Sequence, residues 1–319
     1  MGMLFQGAIR SLLTRYFIDH DSVHTKATLV AGMARAGTTW LAELLNYRNE
    51  YRLVYEPFDH ARVALAVNFK SEKYLRPDDA DARFLAPARA ILCGFIREPF
   101  VDQHNRKLIC ARRLVKEIHA NLLLGWLHRQ FPGMPIVMIV RHPFALAASR
   151  LDMGADIDLG HEFLTQPDLV ADYLQPFRRI MAGCDTPFER HVAAWCIEVG
   201  VPLSQFRDGE ICVVFYEHLC TDPAATLGRV LAYLNRPFDS RILSSVRKPS
   251  TTTGDPARLG RDWSLGPSGP ATSWQQRISE AQRRRGCDVI AAFGMHGLYA
   301  DSSMPVSDRV PYVPLSLPA

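Results

Sequence analysis

The sequence predicts an α/β fold in which a P-loop-like parallel sheet is flanked by helices within a single domain. Short apolar runs without alternation, at residues 135–140 and 211–216, are typical of strands that are buried on both faces. Stretches with helical spacing separate such runs along the chain, as they do in parallel sheets. The first predicted strand, at residues 27–32, leads into a glycine-containing turn and then a helix, which is the arrangement of a phosphate-binding loop.

The N-terminal half alternates predicted helices with predicted strands. Within residues 1–26, apolar side chains at helical spacing between residues 5 and 18 predict an amphipathic helix. After it we expect a strand at 27–32, a helix at 40–46, a strand at 51–56, irregular helical structure at 60–92, a short strand within 107–116 and a helix at 118–131. The Phe131-Pro132 pair ends the last helix, because proline cannot continue one.

The C-terminal half follows the same alternation. Pro143 and the Asp222-Pro223 pair are typical helix starts. We expect a strand at 135–140, a helix at 143–150, a mixed polar segment at 151–185, a helix at 187–199, a strand at 211–216, a helix at 223–234, a loop at 247–272 and a helix at 273–285. The proline-rich tail at 301–319 is expected either to extend over the surface or to be loose.

Composition excludes several classes of protein. Of 319 residues, 48% are hydrophobic and 22% are charged, so the chain can form a large core and is not intrinsically disordered. The net charge of +4 gives no reason to expect a nucleic-acid partner. Seven cysteines without a C-x-x-C pair indicate reduced thiols in a cytoplasmic protein rather than disulfides or a zinc site.

The distribution of apolar residues gives no reason to expect a transmembrane segment. No apolar run reaches the length of about 20 residues that a transmembrane helix needs, and no secretory signal is recognisable. The segment 5–18 fits two alternatives, a helix packed on the domain and a peripheral contact with a membrane surface.

The turn after the first strand has the spacing G-x4-G-x-T, from Gly32 to Thr39. Backbone N–H groups and a helix N-terminus in such a turn can bind an anion. Nucleotide kinases have a lysine where Thr38 stands, whereas the cation of this loop is Arg35, two residues before Gly37. The loop is therefore expected to bind a phosphate with its positive charge displaced.

The sequence lacks a clear acidic ligand for Mg²⁺ at a strand end. The strand 135–140 ends in Arg141, and the strand 211–216 ends ambiguously in Tyr216-Glu217. P-loop nucleotide hydrolases and kinases need such a carboxylate. A sulfuryl group carries less charge than a phosphoryl group, so cationic side chains and helix dipoles can stabilise its transfer without a metal.

Four segments together resemble the family of PAPS-dependent sulfotransferases, most closely those of the carbohydrate and bacterial type. MARAGTTWL at 33–41 resembles the loop for the 5′-phosphosulfate, and IVMIVRHPFALAASR at 136–150 resembles the element for the 3′-phosphate. VVFYEHLCTDP at 213–223 resembles a third element, with His218 at a position that is usually acidic. Val246-Arg247-Lys248 resembles the basic loop, with Pro249 in place of the usual glycine.

The resemblance implies a sulfotransferase domain at 27–300, with 151–185 as a variable insert on the acceptor side. It implies these donor-binding residues: Arg35, Ala36, Gly37, Thr38, Thr39, Trp40, Arg141, Ser149, Tyr216, Arg247 and Lys248. Arg35 and the N–H groups of 36–39 would hold the phosphosulfate. Trp40 and Tyr216 would lie near the adenine, and the others would bind the 3′-phosphate. A position in the helix core is the alternative for Trp40, and a surface ion pair is the alternative for Arg141.

Two residues are candidates for the general base that takes the proton of the acceptor hydroxyl. Glu56, in YEPFDH, resembles the base of carbohydrate sulfotransferases, and the alternative is a carboxylate that pairs with Arg35. His119, in VKEIH, resembles the base of other branches, and the alternative is a histidine bound to a backbone carbonyl. We favour Glu56, with Lys116 as a second contact for the sulfuryl group.

The resemblance implies transfer of a sulfuryl group from PAPS to a hydroxyl, with PAP as product and no required metal. The E-P-x-x-H pattern at 56–60 favours a carbohydrate or glycolipid acceptor, while a phenol or a lipid alcohol remains an alternative. Two other functions stay open from the residues alone. One is a P-loop kinase that uses ATP and Mg²⁺, and the other is a non-catalytic module that binds PAP or another nucleotide.

Overall fold

The computed structural model describes residues 18–19, 21–70, 72–105, 107–248, 250–251, 269–307 and 315. The strands are β1 (Ile18–Asp19), β2 (Ala27–Ala31), β3 (Tyr51–Tyr55), β4 (Ile109–Cys110), β5 (Arg112–Glu117), β6 (Ile136–Val140) and β7 (Cys212–Phe215). Strands β1 and β4 form a small parallel pair of their own.

The main sheet has five parallel strands in the order β3-β5-β2-β6-β7. Every residue of β2, β3, β6 and β7 is buried. Strands covered on both faces need no polar alternation, which explains the continuous apolar runs in the sequence. The predicted α/β class and the four predicted strands of this set are confirmed.

The longer helices cover the two faces of the sheet. They are α1 (Thr38–Leu45), α2 (Ala82–Leu92), α3 (Leu124–Gln130), α4 (Pro143–Leu151), α5 (Pro187–Gln205), α6 (Tyr216–Thr221), α7 (Pro223–Tyr233) and α8 (Glu280–Ala292). Helix α4 begins at Pro143, and the side chain of His142 accepts the N–H of Phe144. The carboxylate of Asp222 caps α7 by accepting the N–H of Ala225.

Two predicted helices have different bounds in the structure. The helix predicted at 118–131 is wrong at its start, because β5 continues to Glu117 and α3 begins only at Leu124. The helix predicted at 273–285 is shifted, because Ser279 and Gln282 form a capping box that fixes the start of α8 at Glu280. In both cases local capping and strand pairing outweigh the apolar spacing used for the prediction.

The polar segment 151–185 folds largely into short helical turns. These are Gly160–Leu164, Pro167–Leu169, Val170–Leu174, Gln175–Phe177 and Arg178–Ala182. Its apolar residues Phe163, Leu169 and Phe177 are buried in the same hydrophobic cluster as the sheet. The segment is therefore part of the domain core rather than a separate appendage.

The ends of the chain fall mostly outside the described residues. Residues 5–17 of the predicted N-terminal helix are outside them, and Ile18 belongs to a strand rather than to that helix. Of the tail at 301–319, only 301–307 and 315 are described, and most of the predicted loop at 247–272 is not. Among the described helices, none combines the length and hydropathy needed to span a bilayer.

Candidate active site

The glycine-containing turn lies between the end of β2 and the start of α1. A Cβ atom on Gly32 would lie 2.5 Å from the carbonyl oxygen of Ile139, which is closer than atoms can approach. Gly37 has φ 103°, and a Cβ atom there would lie 2.8 Å from the ring of Tyr216. Both positions therefore require glycine, for close approach of the backbone to β6 and α6.

The N-terminus of α1 has no side-chain cap. Its N-cap residue is Gly37, so no side chain accepts the first N–H groups of the helix. Thr38 and Thr39 carry such N–H groups together with buried hydroxyls. An anion placed here would receive several hydrogen bonds and the positive end of the helix dipole.

Arg35 joins the turn to α4. Its backbone is in the left-handed region at φ 76°, its Nε donates to Ser149 Oγ at 3.1 Å, and its carbonyl accepts Arg141 Nη1 at 3.0 Å. Thus Arg35 meets Arg141 and Ser149, which lie 106 and 114 positions further along the chain. Two guanidinium groups and a hydroxyl are suitable ligands for phosphate or sulfate oxygens.

Arg141 is held in place by aromatic residues. It lies at the end of β6, is 5% exposed, and its Cζ atom is 4.4 Å from the centre of the Tyr216 ring. The indole N–H of Trp195 donates to the Arg141 carbonyl at 2.9 Å. The alternative of a surface ion pair is wrong, because the guanidinium is buried against the turn.

Trp40 lies on α1, and its buried side chain packs beside Tyr216. The two ring centres are 5.6 Å apart, and the Trp40 N–H donates to the Val246 carbonyl at 3.2 Å. This bond fastens the start of the predicted basic loop to α1. Arg247 and Lys248 follow directly and are exposed, while Pro249 lies outside the described residues.

Glu56 and Lys116 meet at the ends of neighbouring strands β3 and β5. The Lys116 ammonium contacts the Glu56 carboxylate, and the Glu56 N–H donates to the Lys116 carbonyl at 2.7 Å. Both residues are buried, and Glu56 has the left-handed φ of 43°. The ammonium also lies 4.6 Å from the centre of the Tyr55 ring. The ion-pair partner of Glu56 here is Lys116 rather than the expected Arg35.

His119 lies beside this pair, within a group of carboxylates. Its ring nitrogen, a carboxylate oxygen of Glu56 and one of Asp59 lie within 4.8 Å of one another. Burial lowers the pKa of His119, but Glu72, at 3.8 Å, together with neighbouring carboxylates outweighs burial and raises the pKa to about 9. The imidazole is therefore protonated near neutral pH and faces Glu72 instead of the expected backbone carbonyl.

Glu117 is a buried residue that sequence reasoning missed. Its carboxylate accepts the N–H groups of Phe58, Ile118 and His119 at 2.7–2.9 Å. Burial raises its pKa. These bonds tie the turn after Glu56 to the end of β5, so Glu117 positions both base candidates. Its position in the sequence between Lys116 and His119 is the one feature that could have indicated a role at the site.

A cavity of about 370 Å³ opens beside the turn. It is lined by Ala34, Arg35, Glu72, Arg150, Met153, Ala155, Asp156, Ile157, Asp158, His161, Glu162, His191 and Glu198. Seven of these residues belong to the predicted insert 151–185. The lining residues Glu72, His191 and Glu198 have no recognisable motif in the sequence. His191 and Glu198 are two turns apart on α5, and the tertiary fold brings Glu72 to them.

The group of Glu56, Asp59 and His119 has the ligand types of a metal site. Two cations compete with a metal there, because Lys116 contacts Glu56 and His119 is protonated near neutral pH. A metal would have to displace both charges. The arrangement of Glu56, Asp59 and His119 therefore suits an ion pair with cationic side chains better than it suits a bound divalent metal ion.

Comparison with known proteins gives one match in sequence. A model described as "Sulfotransferase family" matches residues 28–240, about two thirds of the chain. This range includes the turn, Glu56, Lys116, Arg141 and Tyr216. No curated protein sequence matches the chain.

Three solved structures illustrate the structural likeness. The sulfotransferase domain from the curacin biosynthetic pathway has 14% identity over 82% of this chain and 97% of that chain, with a TM-score of 0.43. Mouse sulfotransferase SULT7A1 complexed with PAP has 15% identity over 88% and 85%, with a TM-score of 0.44. Sulfotransferase STF9 from Mycobacterium avium has 13% identity over 84% and 76%, with a TM-score of 0.38. These likenesses are distant, and the match to the family model is the stronger observation.

Proposed function

Because the chain belongs to the sulfotransferase family, whose members transfer sulfuryl groups, we propose that it uses PAPS as donor and a carbohydrate or glycolipid hydroxyl as acceptor. The observation that carries the proposal is the meeting of Arg35, Arg141 and Ser149 beside the uncapped start of α1. These groups supply the positive charge and hydrogen-bond donors that two separate anionic groups of a nucleotide donor require.

The two ends of the donor would bind different parts of this arrangement. The N–H groups at the start of α1 would hold the 5′-phosphate, with Arg35 at its bridge to the sulfuryl group. Arg141 and Ser149 would bind the 3′-phosphate, and exposed Arg247 and Lys248 would add charge. The ring of Tyr216, which packs on Arg141, would limit the space for the base.

The reaction would proceed by in-line attack. The acceptor oxygen forms a bond to sulfur while the bond from sulfur to the 5′-phosphate oxygen breaks, and PAP leaves. The acceptor proton passes to the carboxylate of Glu56. His119 is unsuited to this task near neutral pH, because it already carries a proton.

Lys116 would change its ionic partner when the donor binds. Without donor it neutralises Glu56. The anionic sulfuryl group of a bound donor would compete for the same ammonium, so that the carboxylate becomes available as a base. Charge that develops on the leaving group would be stabilised by Arg35 and Lys116, without a required metal.

A binding titration tests the donor. Purified protein is titrated with PAP, adenosine 5′-phosphosulfate and ATP, each with and without Mg²⁺. We expect metal-independent binding of PAP that is tighter than binding of ATP and that Arg141→Ala weakens at least about tenfold. Arg179→Ala, a change of the same kind away from the turn, is the control. Binding of ATP that depends on Mg²⁺, with no preference for PAP, would overturn the proposal in favour of a kinase.

A further inference from the structure

We propose that Glu72, Glu198 and His191 form a polar floor of the cavity that binds a second hydroxyl group of the acceptor. This hydroxyl is distinct from the one that receives the sulfuryl group. The inference rests on the proposed function, and it assigns the acceptor to polyhydroxylated compounds of which one ring-sized unit enters the cavity.

The cavity has the right position for the acceptor. It begins at Ala34 and Arg35 on the donor turn and is lined by Glu72. Glu72 in turn lies 3.8 Å from His119, whose ring nitrogen is within 4.8 Å of a Glu56 oxygen. An acceptor whose reacting hydroxyl lies at Glu56 would therefore extend into this cavity. Its volume, about 370 Å³, is at the lower end for small-molecule sites.

Glu198 is a buried carboxyl group beside the partly buried Glu72. Glu198 is 1% exposed, lies on α5, and accepts the Asn121 amide N–H at 3.0 Å. Burial and the neighbouring charge of Glu72 raise the pKa of Glu198 well above its usual value. This raised pKa favours the protonated form of Glu198, and a protonated carboxyl group can both donate and accept a hydrogen bond.

His191 adds an acceptor with a defined tautomer. Its Nε2 lies 3.0 Å from the Ala155 carbonyl oxygen, and because a carbonyl only accepts, Nε2 carries the hydrogen. Burial lowers the pKa of His191, so the ring is neutral and Nδ1 is an acceptor. Within the described part of the chain, Nδ1 has no hydrogen-bond partner, although the residue is only 1% exposed.

A hydroxyl group suits this floor because it is a donor and an acceptor at once. The Glu198 carboxyl can donate to it, and His191 or Glu72 can accept from it. Met153 and Ile157 give the cavity an apolar wall, which fits the C–H face of a sugar ring. An acceptor with a single hydroxyl would leave the buried polar groups unpaired, which costs binding energy in the transition state.

Paired acceptors test the inference. Sulfate transfer from PAPS is measured for methyl hexopyranosides and for each monodeoxy analogue that keeps the sulfated hydroxyl. We expect that loss of one particular hydroxyl lowers kcat/KM at least about 100-fold. Equal turnover of a hexopyranoside and all its analogues would overturn this inference and leave the proposed function standing. Absence of transfer to every compound would overturn the proposed function, and this inference with it.

Substitutions at Glu198 test whether the polar floor causes this preference. The quantity compared, called the discrimination, is the ratio of kcat/KM between a hexopyranoside and its monodeoxy analogue. Glu198→Gln keeps a donor and an acceptor in the same shape, so the discrimination should stay within about threefold of the original protein. Glu198→Leu should reduce it to less than about tenfold while PAP affinity is unchanged. Glu189→Leu, a buried carboxylate on the same helix but outside the cavity, is the matched control. Unchanged discrimination in Glu198→Leu with intact PAP binding would contradict the assignment.

Discussion

Three acidic or basic residues at the site adopt a backbone conformation that is unusual for them. Arg35, Glu56 and Glu72 have φ values of 76°, 43° and 43°. A left-handed conformation costs a residue with a side chain on the order of 1 kcal/mol or more, and it persists where surrounding contacts enforce it. At Arg35 the enforcing contacts are the bonds to Ser149 and Arg141. The strain thus coincides with the groups that we assign to chemistry.

The assignment of the base predicts unequal effects at two neighbouring residues. Glu56→Gln should lower kcat by about 10²- to 10⁴-fold, because the proton acceptor is lost. His119→Gln should lower kcat less than about tenfold, because a protonated imidazole does not act as the base. Steady-state kinetics with both variants, with PAP affinity as the control for folding, decides between them. A larger loss in His119→Gln would reverse the assignment.

The raised pKa of His119 predicts that stability depends on pH. The pKa rises from 6.5 to about 9 in the folded protein, so the protonated ring stabilises the fold fully below pH 6.5. This contribution, at most about 3 kcal/mol, should be lost as the pH rises through 9. Urea unfolding of the protein and of His119→Gln between pH 6 and pH 10 measures it. A stability difference between the two that does not shrink over this range would contradict the raised pKa.

At the scale of elements, the glycine-containing turn between β2 and α1 shows what can be predicted from sequence. The spacing from Gly32 to Thr39 and the strand before it were enough to predict the turn, because close backbone approach requires glycine there. Arg141 was predictable from its place at a strand end. By contrast, the start of α3 and the start of α8 were misplaced, since strand pairing and a capping box determine them.

The turn also predicts a difference between two glycine substitutions. Gly37→Ala places a Cβ atom 2.8 Å from the Tyr216 ring at φ 103°, whereas Gly209→Ala has φ 85° and open space. Both should lose about 1 kcal/mol from backbone strain, and Gly37→Ala about 1–3 kcal/mol more from the clash. We also expect PAP affinity to fall at least about tenfold in Gly37→Ala only. Chemical denaturation and a PAP titration check this, and equal effects at both positions would refute it.

At the scale of the molecule, charged residues lie at both ends of the parallel sheet, and we assign the two groups different roles. Glu56 and Lys116 follow or end β3 and β5, whereas Arg52 and Arg113 lie near the beginnings of the same strands. Both arginines are fully buried, and both pair with Asp19 at 2.9 Å. Ligands bind at the carboxyl ends of such sheets, so this charged cluster at the other end is structural.

A substitution in the buried charged cluster should therefore affect stability without affecting the site. Asp102 is 1% exposed in its side chain and binds Arg52 through both carboxylate oxygens at 2.8 and 2.9 Å. Asp102→Asn should lower the free energy of unfolding by about 3 kcal/mol, because the buried Arg52 guanidinium loses the bidentate one of its two ionic partners and keeps only Asp19. Asp301→Asn, which breaks an exposed pair with Arg283, should cost less than about 1 kcal/mol. Unchanged PAP affinity in both variants is expected, and a loss of affinity in Asp102→Asn would contradict the separation.

The fold class and the places of Arg35 and Arg141 beside the glycine-containing turn were predictable from sequence, while the lining residues Glu72, His191 and Glu198 were not. Strand patterns and the motifs around Arg35 and Arg141 are local in the chain, so spacing alone indicates them. Glu72 comes from a different segment than His191 and Glu198, which both lie on α5, and none of the three belongs to a motif. Their relation to the site exists only after the helices around 151–205 pack against the turn.

The most direct test of sulfuryl transfer is its stoichiometry. Protein, PAPS and methyl hexopyranosides are incubated in the presence of EDTA, and both PAP and the sulfate ester are quantified by mass spectrometry. We expect equal amounts of the two products and a rate that EDTA does not change. PAP binding without any sulfate ester, or product formation that requires Mg²⁺ and ATP, would contradict the proposed reaction.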